Sequence, residues 1–214
     1  MSSFIENSTT LESMFNIEIP KVKLIFLGDA GVGKSSIINR FIHNIFDEKI
    51  DSTLGAQFSS KVIEYPNYKI ALQFDIWDTA GQEKYKSVNK FFYRDAQIVV
   101  LVYDITRENT FDEIKNFWLN QIKCFGEKNA IICLCGAKND LIAKECIKEE
   151  DARNYAKENQ IYFRLTSSLN NEGIDSLFEF LGKIYLKKNN LVKSKNSFSL
   201  SSKEKKIIKK KKCC

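Results

Sequence analysis

Several features that would assign this chain to a membrane-spanning, secreted or metal-centred class are missing. The longest uninterrupted apolar run, Ile98 to Tyr103, is far shorter than the ~20 residues a bilayer-crossing helix needs. Residues 1–20 show no basic start followed by an apolar segment and are acidic rather than arginine-rich. That excludes a secretory signal, argues against mitochondrial import and leads to the expectation of a cytosolic protein. Histidine is nearly absent: His43 stands alone and is given no catalytic role. Of the six cysteines, at 124, 133, 135, 146, 213 and 214, the first four lack the paired spacing of a metal site and are expected to be buried free thiols.

What the chain does have is the size and composition of one domain with tails. Its 214 residues, 43% hydrophobic and 28% charged, fit a single globular unit. The net charge of +6 is unevenly placed. Residues 187–212 hold eleven lysines against one glutamate, a net +10, so residues 1–186 are net −4. A mildly acidic globular part therefore carries a cationic arm. The division read from this pattern is an N-terminal extension over 1–20, a globular domain over 21–186 and a flexible basic tail over 187–214, whose scattered single apolar residues are too few to build a core.

Strand-like and helix-like runs alternate along the globular part, the pattern of an α/β protein with a mainly parallel sheet. Strands are expected at about Val22–Leu27, Gln57–Tyr65, Ile70–Trp77, Ile98–Tyr103, Ala130–Cys135 and Ile161–Thr166. The first, fourth and fifth are continuously apolar, as strands covered on both faces must be, and are placed at the sheet centre. The short turn at Tyr65-Pro66-Asn67-Tyr68 allows the second and third strands to pair antiparallel and makes the second an edge. Helices are expected at Lys34–His43, Phe111–Cys124, Lys148–Asn159 and Gly173–Lys187, the last burying Ile174, Leu177, Phe178, Leu181 and Tyr185. The expected order is β-α-β-β-α-β-α-β-α-β-α.

Two segments carry chemistry. Gly28-Asp29-Ala30-Gly31-Val32-Gly33-Lys34-Ser35 fits G-x-x-x-x-G-K-[ST] and lies directly between the first strand and the first helix, the context that makes this pattern a phosphate cradle. Its backbone N–H groups, continuing to Ser36, point at anionic oxygens. Lys34 adds charge at the β and γ phosphates, and the Ser35 hydroxyl serves Mg²⁺. After the third strand comes Asp78-Thr-Ala-Gly81-Gln82-Glu83. There Asp78 is suited to hold Mg²⁺ through water, Gly81 to bring its N–H to the γ-phosphate, and Gln82 to orient an attacking water as both donor and acceptor.

With these in place, residues 21–186 resemble a small GTPase of the Ras superfamily, and within it a Rab. The resemblance implies the six-stranded small-GTPase fold, one antiparallel edge strand and about five helices on both faces. Ser52-Thr53-Leu54-Gly55-Ala56-Gln57-Phe58 resembles the first switch, so Thr53 is implied to ligate Mg²⁺ and touch the γ-phosphate only when GTP is bound. Phe46 falls where the family stacks a ring on guanine. Phe58, Trp77 and Phe92 are implied to form the aromatic patch that effectors read. Lys209-Lys-Lys-Lys212-Cys213-Cys214 resembles the double-cysteine ending of Rabs, which implies geranylgeranyl groups on Cys213 and Cys214. One lipid chain anchors only marginally and two anchor stably, while each lysine adds roughly 1 kcal/mol at an anionic surface.

Two departures concern the base. Ala137-Lys138-Asn139-Asp140 stands where the family has Asn-Lys-x-Asp, and Ser167-Ser168-Leu169 where it has Ser-Ala-Lys. Asp140 remains to accept from guanine, Lys138 to cover the sugar and ring, and Ser167 and Ser168 to complete that side. The missing amide at 137 and cation at 169 are expected to loosen the grip on guanine without redirecting it to adenine. Ala30 implies slow intrinsic hydrolysis rather than none.

The function implied is a GTP/GDP switch in vesicle trafficking, on the cytoplasmic face of endosomal membranes and cycling with the cytosol; Ala56 resembles early-endosomal Rabs. Partners implied are an exchange factor, a GTPase-activating protein, a GDP-dissociation inhibitor, an escort protein with its geranylgeranyl transferase, and effectors. The protein is read as a monomer that binds no nucleic acid. A non-hydrolysing binding module and a phosphate-loop ATPase are the rival readings; the intact Thr53 and Gln82 positions disfavour the first, and Asp140 the second.

Overall fold

The computed structural model describes residues 18–48, 53, 55–79 and 93–192. The chain runs β1 (Lys21–Leu27), α1 (Lys34–His43), β2 (Ala56–Tyr65), a 3₁₀ turn (Pro66–Tyr68), β3 (Ile70–Thr79) and β4 (Ile98–Asp104). Helix α2 then joins Glu108–Glu113, a π segment at Ile114–Trp118 and Leu119–Phe125. After it come β5 (Ile131–Ala137), a 3₁₀ stretch (Asn139–Lys144), α3 (Glu149–Glu158), β6 (Tyr162–Thr166) and α4 (Ile174–Lys188). The helix expected between β3 and β4 falls largely outside the described residues.

The six strands form one sheet in the order β2-β3-β1-β4-β5-β6. Only the β2–β3 pair is antiparallel, and the 3₁₀ turn at Pro66 makes that reversal. Strand β4 is buried along its whole length, as its unbroken Val/Ile/Leu run demands. Side chains alternate between two cores. Val22, Leu24 and Phe26 point to a layer under α1 and α4, and Ile25 and Leu27 to a layer under α2 and α3. In the first layer Phe178 is fully buried. It stacks on Phe41 with ring centroids 3.5 Å apart and meets Phe74 edge-on at 6.1 Å.

Most element boundaries move by one or two residues, but α2 begins three residues earlier than its apolar period suggested and contains the π segment. The cysteine expectation needs correction. Cys133 and Cys135 are buried on β5, but Cys124 and Cys146 are exposed. Cys124 lies in the last turn of α2 on its solvent side, and Cys146 sits in the loop before α3. Among the described residues no helix is long and apolar enough to cross a membrane.

The parallel arrangement brings the C-terminal ends of β1, β3, β4, β5 and β6 to one edge of the sheet, where open α/β sheets place their ligands. Packing at the Phe178 cluster is what seats α1, and hence the loop before it, on that edge. Phe178→Ala is expected to cost about 3–5 kcal/mol of stability, read as a lower urea midpoint with an unchanged denaturant slope.

Candidate functional site

The loop from Gly28 to Gly33 takes its shape from close packing. Gly28 has φ 144°, and a Cβ there would stand 2.2 Å from the Val102 carbonyl oxygen of β4, so no side chain fits. Gly33 is left-handed at φ 107° and starts α1 without a side-chain cap. The first N–H groups of α1 are therefore left open to a ligand, together with the positive end of the helix dipole. Lys34 is buried, and its ammonium donates to the Gly28 and Asp29 carbonyls, both at 2.9 Å. Burial pulls its pKa down to about 8 against the opposing pull of Asp78 and Asp29, with Arg107 adding to the drop. A buried cation hydrogen-bonded, among the described residues, to carbonyls alone at an open helix N-terminus is a strong demand for an anion beyond what Asp78 and Asp29 supply.

Three hard oxygens meet beside it. The Ser35 hydroxyl donates to Asp78 Oδ2 at 2.5 Å and lies 2.8 Å from Thr53 Oγ1, which is itself 3.3 Å from Asp78 Oδ2. Asp78 is buried at the end of β3, next to Phe26 of β1. Burial raises its pKa, with the Ser35 bond, the Lys34 charge and the Thr53 bond offsetting part of the rise. Its other oxygen, Oδ1, is buried with no hydrogen-bond partner among the described residues. Two hydroxyls and one carboxylate, whose Oδ1 is buried without a partner among the described residues, form an oxygen donor set suited to Mg²⁺, directly or through water. The residues present thus fit the expected ion.

The adjoining cleft has a volume of about 420 Å³. Ala30, Gly31, Gly33, Lys34, Ser35 and Ser36 line it, with Thr53 beside Ser35. Phe46, Lys138, Asp140 and Ser168 line the other end. Asp29, Val32, Asp78 and Ser167 are not among the residues that line the cleft. Ser167 is buried and donates to Asp140 Oδ1 at 2.5 Å, so it fixes the carboxylate that faces the base pocket. Ala137, Leu141 and Leu169 also line the cleft, and the half-exposed Leu169 faces the pocket with hydrocarbon where a cation was absent from the motif. Gly81 and Gln82 lie outside the described residues, as do Phe92, Cys213 and Cys214. Phe58 and Trp77 are cross-strand partners on β2 and β3, with rings 5.2 Å apart, and Phe58 is 54% exposed.

Four residues with a part in this site carried no motif. Arg40 of α1 donates to the Ser168 and Leu169 carbonyls at 2.7 and 3.1 Å, tying the base loop to the helix that follows the phosphate loop. Trp118, from the π segment, donates its indole N–H to Asp29 at 3.1 Å. Asp104, at the end of β4, accepts from the Thr106 N–H and hydroxyl at one oxygen and from Arg107 and Lys138 at the other. Arg107 reaches on to the Ala30 carbonyl at 3.1 Å. Apart from the local Asp104 bonds to Thr106 and Arg107, these contacts join elements remote in sequence, so spacing alone offered no signal for them.

Burial opposes the charge on Asp104, yet the Lys138 and Thr106 hydrogen bonds outweigh it and hold the carboxyl below its ordinary range. A depressed carboxyl stabilises the fold above its unfolded value, and that contribution drains away as pH falls through the folded one. Asp104→Asn is expected to cost about 1–3 kcal/mol at neutral pH through lost charged hydrogen bonds. It should also flatten the acid slope of stability below about pH 4. Urea titrations of both proteins at stepped pH check this; equal acid slopes would refute the assignment.

A Ras family model matches residues 23–187. Ras-related protein Rab-22A of Homo sapiens is 40% identical over 158 residues, covering 74% of this chain and 80% of its own length. GTP-binding protein YPT52 of Saccharomyces cerevisiae is 37% identical over 203 residues, covering 81% of this chain and 86% of its own. Ras-related protein RABA4c of Arabidopsis thaliana is 37% identical over 185 residues, covering 85% and 82%. A phosphate cradle, an oxygen donor set and a base pocket on one sheet edge, in a chain so matched over most of its length, make it a member of the Ras family and, within that family, a Rab small GTPase.

Proposed function

We propose that this chain is a GTP/GDP switch that hydrolyses GTP slowly, recruits effectors while GTP is bound and is held to membranes by lipids on Cys213 and Cys214. The observation that carries the reading is the meeting of Lys34, Ser35, Thr53 and Asp78 at the open N-terminus of α1, with Asp140 held by Ser167 across the same cleft. The switchable element is the segment around Thr53. Its hydroxyl rests on Ser35 and Asp78, the same groups that would hold Mg²⁺, so a γ-phosphate and its ion favour one position of this segment over others. When bound, Mg²⁺ supplies charge neutralisation at the β and γ oxygens.

In the reaction, the oxygen of a water forms a bond to the γ-phosphorus. The bond to the β–γ bridging oxygen breaks, its electron pair stays with GDP, and both protons of the water end on the released phosphate, which passes one to solvent. The chain's own work is positioning: Lys34 and the Gly28–Gly33 backbone fix the phosphates, and Gln82 orients the water. Asp140 accepts from the guanine ring nitrogen and amino group, Phe46 and Lys138 flank the base and sugar, and Ser168 completes the pocket. Full activity draws on a GTPase-activating protein, and turnover of the switch on an exchange factor.

The effector surface is read as Phe58 and Trp77, with Phe92. The domain division at 21–186 leaves 187–214 as a tether, delivered by an escort protein and its geranylgeranyl transferase and retrieved by a GDP-dissociation inhibitor. The role is regulation of vesicle traffic on the cytoplasmic face of membranes, with Ala56 the lead towards early endosomes.

Two tests follow. Gln82→Leu is expected to keep GTP binding while slowing single-turnover hydrolysis by about tenfold or more, the scale of one transition-state hydrogen bond. An unchanged rate, with and without an activating protein, would remove Gln82 from this role. Changing both Cys213 and Cys214 to Ser is expected to move the protein from the membrane fraction to the cytosol despite the tail lysines, because two lipids carry most of the anchoring energy. Membrane retention of the double variant would sink the anchor.

A further inference from the structure

Position 137 lacks the amide that could brace the phosphate loop, yet the loop is not left unbraced. Ala137 ends β5 directly beside Asp104, the last residue of β4. Its methyl only approaches Gly33; a Cβ on that glycine would meet it at 3.6 Å. A polar contact to the loop comes instead from Arg107, three residues beyond Asp104. The Arg107 guanidinium spans from Asp104 Oδ2, at 3.1 Å from Nε, to the Ala30 carbonyl, at 3.1 Å from Nη2.

We infer that Arg107, oriented by Asp104, is a positioning residue that braces the phosphate loop in place of a side-chain amide at 137 and thereby sets how slowly guanine nucleotide is released.

Three features support the assignment. The first is rigidity at the anchor. Asp104 is 1% exposed, and its two oxygens accept from four donors, so the group that aims Arg107 is itself fixed. The second is placement. Ala30 sits mid-loop, between the Gly28–Asp29 carbonyls held by Lys34 and the N–H groups that open α1. A hydrogen bond there resists the peptide rotation that would turn the loop's N–H groups away from phosphate. The third is linkage. Lys138 donates to the same Asp104 oxygen at 2.6 Å, and Lys138 lines the base end of the cleft. One carboxylate therefore ties the phosphate side to the base side, and a disturbance at either end loosens the other.

The inference rests on the chain binding guanine nucleotide, so the experiment separates the two. Release of a fluorescent GDP is followed in excess Mg²⁺ from wild type, Arg107→Ala, Arg107→Lys, Ala137→Asn and the Arg107→Ala/Ala137→Asn double variant. Melting temperature is recorded for each with GDP bound and after its removal. Saturable binding by wild type establishes the reading on which this depends; its absence would end both.

Given binding, Arg107→Ala is expected to release GDP about tenfold faster, the scale of one charge-assisted hydrogen bond. Arg107→Lys, which keeps the pair with Asp104 but not the fork, should fall between the two. Ala137→Asn should slow release more in the Arg107→Ala background than in wild type, because the two braces substitute for each other. A purely structural role would lower the nucleotide-free melting temperature without this non-additivity. A release rate unchanged by Arg107→Ala, or strictly additive effects in the double variant, would overturn the assignment. Should Arg107→Ala not fold, Arg107→Lys and Ala137→Asn carry the same comparison, with equal release in all three proteins as the refuting result.

Discussion

The burial of the Lys34 ammonium is the constraint on which the rest of the site depends. A cation taken out of water must find partners, and here its hydrogen bonds among the described residues go to two backbone carbonyls, with the charges of Asp78 and Asp29 nearby. That arrangement is tolerable because the loop wraps around it, and the loop wraps because Gly28 is pressed against the Val102 carbonyl where any Cβ would clash. The remaining demand for negative charge is met by a ligand. Affinity for phosphate is in this sense built into the packing of β1 against β4 rather than added to it.

Each residue of the loop's first half is pinned by a different part of the fold. Lys34 holds the carbonyls of Gly28 and Asp29, the indole of Trp118 holds the Asp29 carboxylate, and Arg107 holds the Ala30 carbonyl. The base side is organised in the same manner, with Ser167 fixing Asp140 and Arg40 fixing the loop at Ser168 and Leu169. Between the two halves stands Asp104, bonded to Arg107 on one side and Lys138 on the other. Preorganisation of this kind means that a nucleotide meets groups already aimed.

How much of this could be read from the residues alone followed the range of the interactions. The phosphate loop is contiguous and lies between a strand and a helix, so Lys34 and Ser35 were legible from spacing. Asp78 was placed by the strand that precedes it, and the continuous apolar runs marked β1, β4 and β5 as interior strands. Arg107 and Trp118 were not legible. Their partners in the loop lie 77 and 89 residues away, and Trp118 is delivered by a π segment that the helical period does not announce. Cys124 and Cys146 were misplaced because an apolar neighbourhood in sequence says little about which side of a helix end or loop meets solvent.

The central claim is that one cleft reads phosphate through the buried cation and guanine through Asp140. Thermal denaturation of the nucleotide-free protein in Mg²⁺, with GDP, GTP, ADP or ATP added at equal concentration, tests it most directly, because a ligand that binds only the folded state stabilises it as the logarithm of one plus the ratio of ligand concentration to Kd. GDP and GTP are predicted to raise it well above the value for protein alone, and ADP and ATP to leave it nearly unchanged. Equal shifts from adenine and guanine nucleotides, or none from either, would contradict the account.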